Sequence, residues 1–328
     1  MDPLRAIAQK KGVFLRSEAR DLGYDDKACA AALRAKMWVR VRRGAYTFND
    51  TWEGSDPVGR HRILSRAVMR SLGDSVALSH TSAVLEHECA TWGVDLTRVH
   101  VTRLDGGAGR TEKDVVHHEG FCLDDEIVEK NGMLVMNPPR SVVETATLTS
   151  VESGTVTTDS ALHLGLIDRD GLARTFRAME RWPRTRTLHL VIGLADGRSE
   201  SVGESRSRHL CWAQGLPAPE LQFRVCDERG TLVGVTDFAW PHLRLLGEFD
   251  GKIKYGRLLK PGEEPGDAVF REKVREDLLR ETTGWPMVRL TWSDLYRPFQ
   301  TASRIRRLMA TSETSHDEPA LPTTSSPW

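Results

Sequence analysis

Apolar positions in the first fifty residues recur first at helical and then at strand spacing. Leu4, Ile7 and Ala8 keep an i, i+3, i+4 rhythm that predicts a helix from Pro3 to Lys10. Gly12 breaks it, and Val13-Phe14-Leu15 leads into a second helix capped by Ser17, with Ala19 and Leu22 inward and Gly23 as its C-cap. A third helix opens at Asp25 and runs to about Lys36, where Cys29, Ala32 and Leu33 repeat the spacing. Alternating segments then follow, Trp38-Val39-Arg40-Val41-Arg42 and Gly44-Ala45-Tyr46-Thr47-Phe48, joined at Arg43-Gly44; alternation across a glycine turn predicts a hairpin.

Past a turn-rich linker at 51–57, helices are expected over Arg60–Leu72 and Ser79–His87, and strands over Val99–Thr102, Val115–His118 and Met133–Met136. Asn137-Pro138-Pro139 caps a helix through Val142, Val143 and Ala146, and two more follow over Ser160–Leu164 and Gly171–Trp182. The small, polar Gly197–Ser201 stretch marks a boundary. Beyond it come a helix (Val202–Gly215), strands over Leu221–Cys226, Leu232–Trp240 and Leu243–Asp250, a loop over Lys260–Asp267, a helix over Val269–Thr282 and a strand over Met287–Thr291. The pattern predicts an α+β multidomain chain: residues 1–50, 57–195 and 200–309, then a Ser/Thr/Pro-rich disordered tail at 310–328.

Composition narrows the class. Of 328 residues, 39% are hydrophobic and 28% charged, the balance of a soluble globular protein. No apolar run reaches the ~18 residues of a membrane helix, so no membrane partner is expected. Met1-Asp2-Pro3-Leu4-Arg5 lacks the basic-then-apolar layout of a secretion signal. Five scattered cysteines form no Cys-x-x-Cys pair, which argues against a disulfide framework and a structural zinc site and for the cytoplasm. The 46 basic and 46 acidic side chains cancel, but residues 1–50 hold eleven Lys/Arg against six Asp/Glu, a local pointer to an anionic partner.

The sharpest chemical signal lies near the C-terminus. Asp237 sits late in one apolar strand, and Glu248 and Asp250 end the next, across a Pro241-His242 turn that should pair the two strands. Glu248 and Asp250, two apart, share one strand face, and Lys252 would continue it. Glu204 on the preceding helix is a fourth carboxylate. Oxygen ligands converging at a strand end suit a hard cation such as Mg²⁺, which could activate a water against a phosphodiester.

With those residues in view, the stretch from Ser201 to Leu295 resembles the PD-(D/E)xK nuclease superfamily, in its very-short-patch-repair-like endonuclease branch. The resemblance rests on Glu204, the Val235-Thr236-Asp237-Phe238 strand, Gly247-Glu248-Phe249-Asp250-Gly251, the Lys273-x-Arg275-x-Asp277-x-Leu279-Arg280 helix, and the strand from Gly284-Trp285 to Trp292. It implies a restriction-endonuclease-like α/β domain with Asp237 and Glu248 on the metal; the strand reading adds Asp250 as a third ligand, with Glu204 and Lys252 assisting catalysis. Two departures stand out: Thr236 replaces the name-giving proline, and Asp250 occupies the lysine position. Lys273, Arg275 and Arg280 could hold a duplex by its phosphates.

Three short helices and a hairpin are the layout of a winged helix-turn-helix, whose second helix enters the major groove while the wing touches backbone. Lys27, Arg34 and Lys36 lie on the recognition helix; the wing offers Arg40, Arg42 and Arg43, with alternation expected to send Arg40 and Arg42 to one side and the valines to the core. This unit and the middle block resemble the AbiEi family of type IV antitoxins, through Trp38–Tyr46, Leu78-Ser79-His80, Val99–Thr102 and Asn137–Ser141. The resemblance implies a repressor that binds double-stranded DNA and opposes a nucleotidyltransferase-type toxin. In that reading the C-terminal domain is either a working nuclease or a non-catalytic scaffold. His80 and His87, seven apart without a third ligand, read as packed or capping side chains, and His117 and His118 point to opposite strand faces.

Overall fold

Asp2 starts the first helix, α1 (Pro3–Lys11), by accepting the Leu4 amide at 2.9 Å, and Pro3 takes the first turn, where a missing N–H costs nothing. The next apolar triplet does not enter a helix directly. It forms a short strand, β1 (Phe14–Leu15), followed by α2 (Arg16–Asp21) and α3 (Asp26–Arg34). A run that short suits either state, and the open edge of the following hairpin decides it: Phe14 lies opposite Tyr46 and Leu15 opposite Ala45. That hairpin, β2 (Trp38–Arg42) and β3 (Ala45–Phe48), completes a sheet of order β1-β3-β2. Phe14, Trp38, Tyr46 and Phe48 on one face pack with Leu4, Ala8, Ala19, Cys29 and Ala32. Through α4 (Asn49–Glu53) the chain enters α5 (Pro57–Leu72), whose Ile63 and Ala67 cover the other face at Val41 and Ala45.

The computed structural model describes residues 2–251 and 265–314; Lys252, most of the 260–267 loop and residues 315–328 lie outside them. The chain divides into two compact units at Gly197/Arg198. The first 50 residues share a core with α5, and Arg70 of α5 binds Glu18 at 2.7 Å and the Val13 carbonyl at 2.7 Å.

The remainder of the first unit is a six-stranded sheet backed by helices. In chain order it contains β4 (Val76–Leu78), α6 (His80–Glu86), β5 (Val99–Arg103), β6 (Arg110–Thr111), β7 (Val115–His118), β8 (Ile127–Lys130) and β9 (Met133–Met136). The strand order is β6-β7-β5-β4-β9-β8. Then come α7 (Pro138–Leu148), α8 (Val151–His163), α9 (Arg169–Met179) and α10 (Leu188–Leu194). Asn137 caps α7 as the sequence suggests. α8 is much longer than expected: its Gly154 and threonines are poor helix formers, but Thr155, Val156, Thr157 and Thr158 are all buried, and packing overrides propensity.

The second unit holds α11 (Val202–Ala213), β10 (Glu220–Cys226), β11 (Leu232–Trp240), β12 (Leu245–Asp250), α12 (Pro265–Thr283), β13 (Met287–Thr291), α13 (Trp292–Leu295) and α14 (Pro298–Thr314). Its sheet runs β10-β11-β12-β13, antiparallel except for the last pair. Phe238, Trp240, Leu245 and Phe249 pack with Leu210 of α11 and Ile305 of α14. On the opposite face Ala239 and Leu246 meet Leu279 of α12. The architecture is mixed α+β with several sheets, and among the described residues no helix is long and apolar enough to cross a membrane.

Candidate carboxylate site and basic N-terminal face

Register brings the second unit's acids toward one end of the sheet. Phe238 pairs with Gly247, so Asp237 and Glu248 are next in the antiparallel count, and both lie on the face that carries Ala239 and Leu246. Asp237 accepts the Phe249 amide at 2.8 Å, a side-chain bridge from β11 to β12. Glu248 is buried and pairs with Arg275 of α12 at 2.5 Å, while the same guanidinium donates to the Val235 carbonyl at 2.8 Å. Asp250, two residues on, is half-buried. Thr236, beside Asp237, is fully buried and donates its hydroxyl to the Phe238 carbonyl at 2.9 Å.

Glu204 approaches from the other side. Gly203 lies so close to the Phe249 ring that a Cβ there would overlap it, which seats the first turn of α11 at that end of β12. The buried Glu204 carboxylate accepts Ser201 Oγ at 2.6 Å, the Glu200 amide at 3.0 Å and Gln222 Nε2 at 3.2 Å. Gln222 counts opposite Asp237 in the β10–β11 ladder. Sequence reading missed both Gln222 and the pairing of Glu248 with Arg275. The first lies in a strand of mixed pattern, at φ +50; the second depends on how α12 crosses the sheet. The four acids are gathered at one sheet end, but Glu204, Asp237, Glu248 and Asp250 do not present three ligand atoms within 4.8 Å of one another; among the described residues only His80, His100 and His118 do.

On α12, Lys273 and Arg280 are exposed, seven apart on one face. Arg275, two residues from Lys273, is turned about 200° around the helix and faces the sheet, which is why it meets Glu248 rather than solvent.

In the first unit Lys27, Arg34, Lys36, Arg40 and Arg43 are all exposed. Asp25 caps α3 through the Ala28 amide at 2.7 Å, and Asp26 pairs with Arg16 at 2.6 Å, so the two acids beside Lys27 are engaged locally. That pairing lowers the Asp26 carboxyl below its usual range and raises Arg16. Arg42 departs from the expected arrangement. A bulge separates Arg40, opposite Tyr46, from Arg42, opposite Ala45, so the two arginines lie on opposite sheet faces. Arg42 turns to Glu112 at 3.1 Å and Asp114 at 3.4 Å and pins the hairpin to the β6–β7 region. Strict alternation could not reveal the bulge, because an inserted residue changes the face of everything beyond it.

Residues 1–49 match the family described as transcriptional regulator, AbiEi antitoxin. Over a longer span the chain is similar to two uncharacterized proteins of Mycobacterium tuberculosis, MT2308 of strain CDC 1551 / Oshkosh and Rv2248 of strain ATCC 25618 / H37Rv. Each is 28% identical over 277 residues, which is 84% of this chain and 96% of the relative. A match of that length crosses the boundary between the two units, so the relatives share more than the N-terminal domain. The N-terminus of this chain thus carries a domain similar to AbiEi antitoxin transcriptional regulators.

Proposed function

We propose that this chain is a DNA-binding transcriptional regulator of the AbiEi antitoxin type, acting in the cytoplasm on its own promoter and opposing a nucleotidyltransferase-type toxin. The observation that carries the reading is the basic surface of the matched N-terminal domain: Lys27 and Arg34 lie seven apart on α3, Arg40 lies on β2 and Arg43 in the hairpin turn, all exposed. In this reading the domain is a winged helix-turn-helix with α3 in the major groove and the hairpin on the backbone. Charges of one sign on such elements neutralise phosphates and release counterions.

Gel shifts on the upstream region test it. Arg43→Ala and Arg40→Ala are each expected to weaken binding uniformly across sequences and to reduce the slope of log affinity against log salt by about 1. Arg42→Ala is expected to act chiefly on stability, through its contacts with Glu112 and Asp114. Unchanged affinity and salt slope in an Arg34→Ala/Arg40→Ala/Arg43→Ala triple variant would remove this face from the proposal.

A second reading, that the other unit is a Mg²⁺-dependent endonuclease of the PD-(D/E)xK kind, is favoured by the adjacency of Asp237 and Glu248 at one sheet end with Glu204 beyond Gln222. Asp237, Glu248 and Asp250 would hold the ion, and Lys252, which lies outside the described residues, would stabilise charge developing on phosphate. Its use would require Glu248 to release Arg275. Plasmid incubated with Mg²⁺ should then be nicked by the wild type and not by Asp237→Ala or Glu248→Ala. Equal product from all three, or none from any, leaves the unit as a scaffold.

A further inference from the structure

We propose that His80, His100 and His118 bind a divalent transition metal, zinc by ligand chemistry, at the edge of a cavity in the first unit. The inference is independent of the DNA-binding and nuclease readings. Three separate elements supply the ligands: His80 opens α6, His100 lies in β5, and His118 ends β7. Thr102 pairs with His118 across the parallel β5–β7 ladder, so His100 and His118 share a sheet face. The Ser79 amide donates to the His100 carbonyl at 3.0 Å and the His100 amide to Ser82 Oγ at 2.8 Å, which fixes the start of α6 over that face.

One ring nitrogen from each histidine lies within 4.8 Å of the others. His100 Nδ1 and His118 Nε2 are 2.8 Å apart, and the His80 ring stacks on His118 at 3.7 Å between centroids. Two imidazoles on one tetrahedral zinc place their nitrogens roughly 3.3 Å apart, given bonds of ~2.0–2.1 Å, so ion entry opens that contact slightly and moves the donor imidazole's proton to its other ring nitrogen, freeing both lone pairs for the ion. His80 is not glycine yet holds φ +49, in the left-handed region, a strained backbone of the kind concentrated at ligand clamps.

The surroundings resemble a ligand shell. His80 Nδ1 lies 3.0 Å from Ser79 Oγ and 3.5 Å from Glu144, the carboxylate-behind-histidine arrangement that orients metal ligands and leaves Nε2 for the ion. Glu144 is held in turn by Arg140 Nε at 2.8 Å. His80 and His118 also line a cavity of about 340 Å³ with Thr102, Arg140, Trp182 and Arg184. Arg140 Nη2 and Thr102 Oγ1 are buried there without a hydrogen-bond partner among the described residues. Three protein ligands with an open fourth position characterise exchange-competent rather than purely structural zinc sites, and the two arginines suit an anionic fourth ligand.

The full chain, stripped with chelator and titrated with Zn²⁺ and Co²⁺, tests the site. We expect one equivalent bound, tetrahedral cobalt bands without a thiolate charge-transfer band, and a thermal midpoint raised by metal. His118→Gln and His100→Gln should each lose more than ~100-fold in affinity, since outer-shell partners alone are worth ~10–100-fold, and Glu144→Gln should fall within that smaller range. X-ray absorption on zinc-loaded wild type requires no variant and should show imidazole scattering from about three histidines. Absence of cobalt bands in the wild type, a thiolate-dominated spectrum, or full-affinity binding by folded His118→Gln would overturn the proposal.

Discussion

Replacing Arg140 by methionine should lower the stability of the first unit by about 3–5 kcal/mol, the usual cost of removing one partner from a buried ion pair. Arg140 and Glu144 are each 1% exposed. The guanidinium donates to Glu144 at 2.8 Å, Glu126 at 2.5 Å and the Phe121 carbonyl at 3.0 Å, and it lies 5.2 Å from the centroid of the Trp182 ring. Methionine keeps most of the stem volume but leaves the buried Glu144 carboxylate without its cationic partner, or forces it to take up a proton. Thermal denaturation should show the first unit melting roughly 10 °C earlier, at ~2–4 °C per kcal/mol for a unit of this size. Removing both charges, Arg140→Met with Glu144→Met, should recover much of the loss, because the penalty belongs to the stranded charge rather than to the missing bond. A single variant melting within about 2 °C of wild type would show that Glu144 finds another partner.

Gly203→Ala is expected to destabilise the second unit by about 1–3 kcal/mol, the usual cost of overpacking. In most helix interiors the exchange would stabilise by about 1 kcal/mol. Here the new methyl would fall on Cδ1, Cε1 and Cζ of Phe249, a buried ring held edge-on against Trp292 at 5.0 Å. Neither ring can retreat without disturbing the core it shares with Leu210 and Ile305. The effect should reach the carboxylates, because the Phe249 amide holds Asp237 and its chain neighbours are Glu248 and Asp250. Urea unfolding is the check, and adding Phe249→Leu to the alanine variant should restore part of the loss by making room. A midpoint equal to or above wild type would mean that α11 can shift away from β12 at little cost.

Local signals in the chain were enough to locate most elements. Asp25 and Asn137 cap the helices that the sequence opens at them, whereas Ser17 lies inside α2 rather than capping it, and alternation marks the strand at 99–103. The errors have physical causes. α8 was largely missed because its threonines and glycine disfavour an isolated helix, and only burial between α7 and α10 stabilises it. β4 was missed because three residues carry too little pattern to separate from loop, and β8 because Ile127-Val128-Glu129-Lys130 is neither alternating nor continuously apolar.

At the sites the division is sharper. Asp237 and Glu248 were legible as cross-strand neighbours because strand period and a short turn constrain residues close in sequence. Arg42, Arg275 and the histidines were not. Arg42 changes face at a bulge, Arg275 reaches Glu248 across 27 positions, and His80, His100 and His118 meet only because β4, β5 and β7 share one sheet. The sequence by itself determined most of the helices and strands and the basic charge of the N-terminal domain, since these follow from backbone hydrogen bonding and the spacing of apolar and charged side chains. Which charged and imidazole groups become partners was decided by the tertiary structure, because burial removes water and leaves each polar group to whichever neighbour the packing supplies.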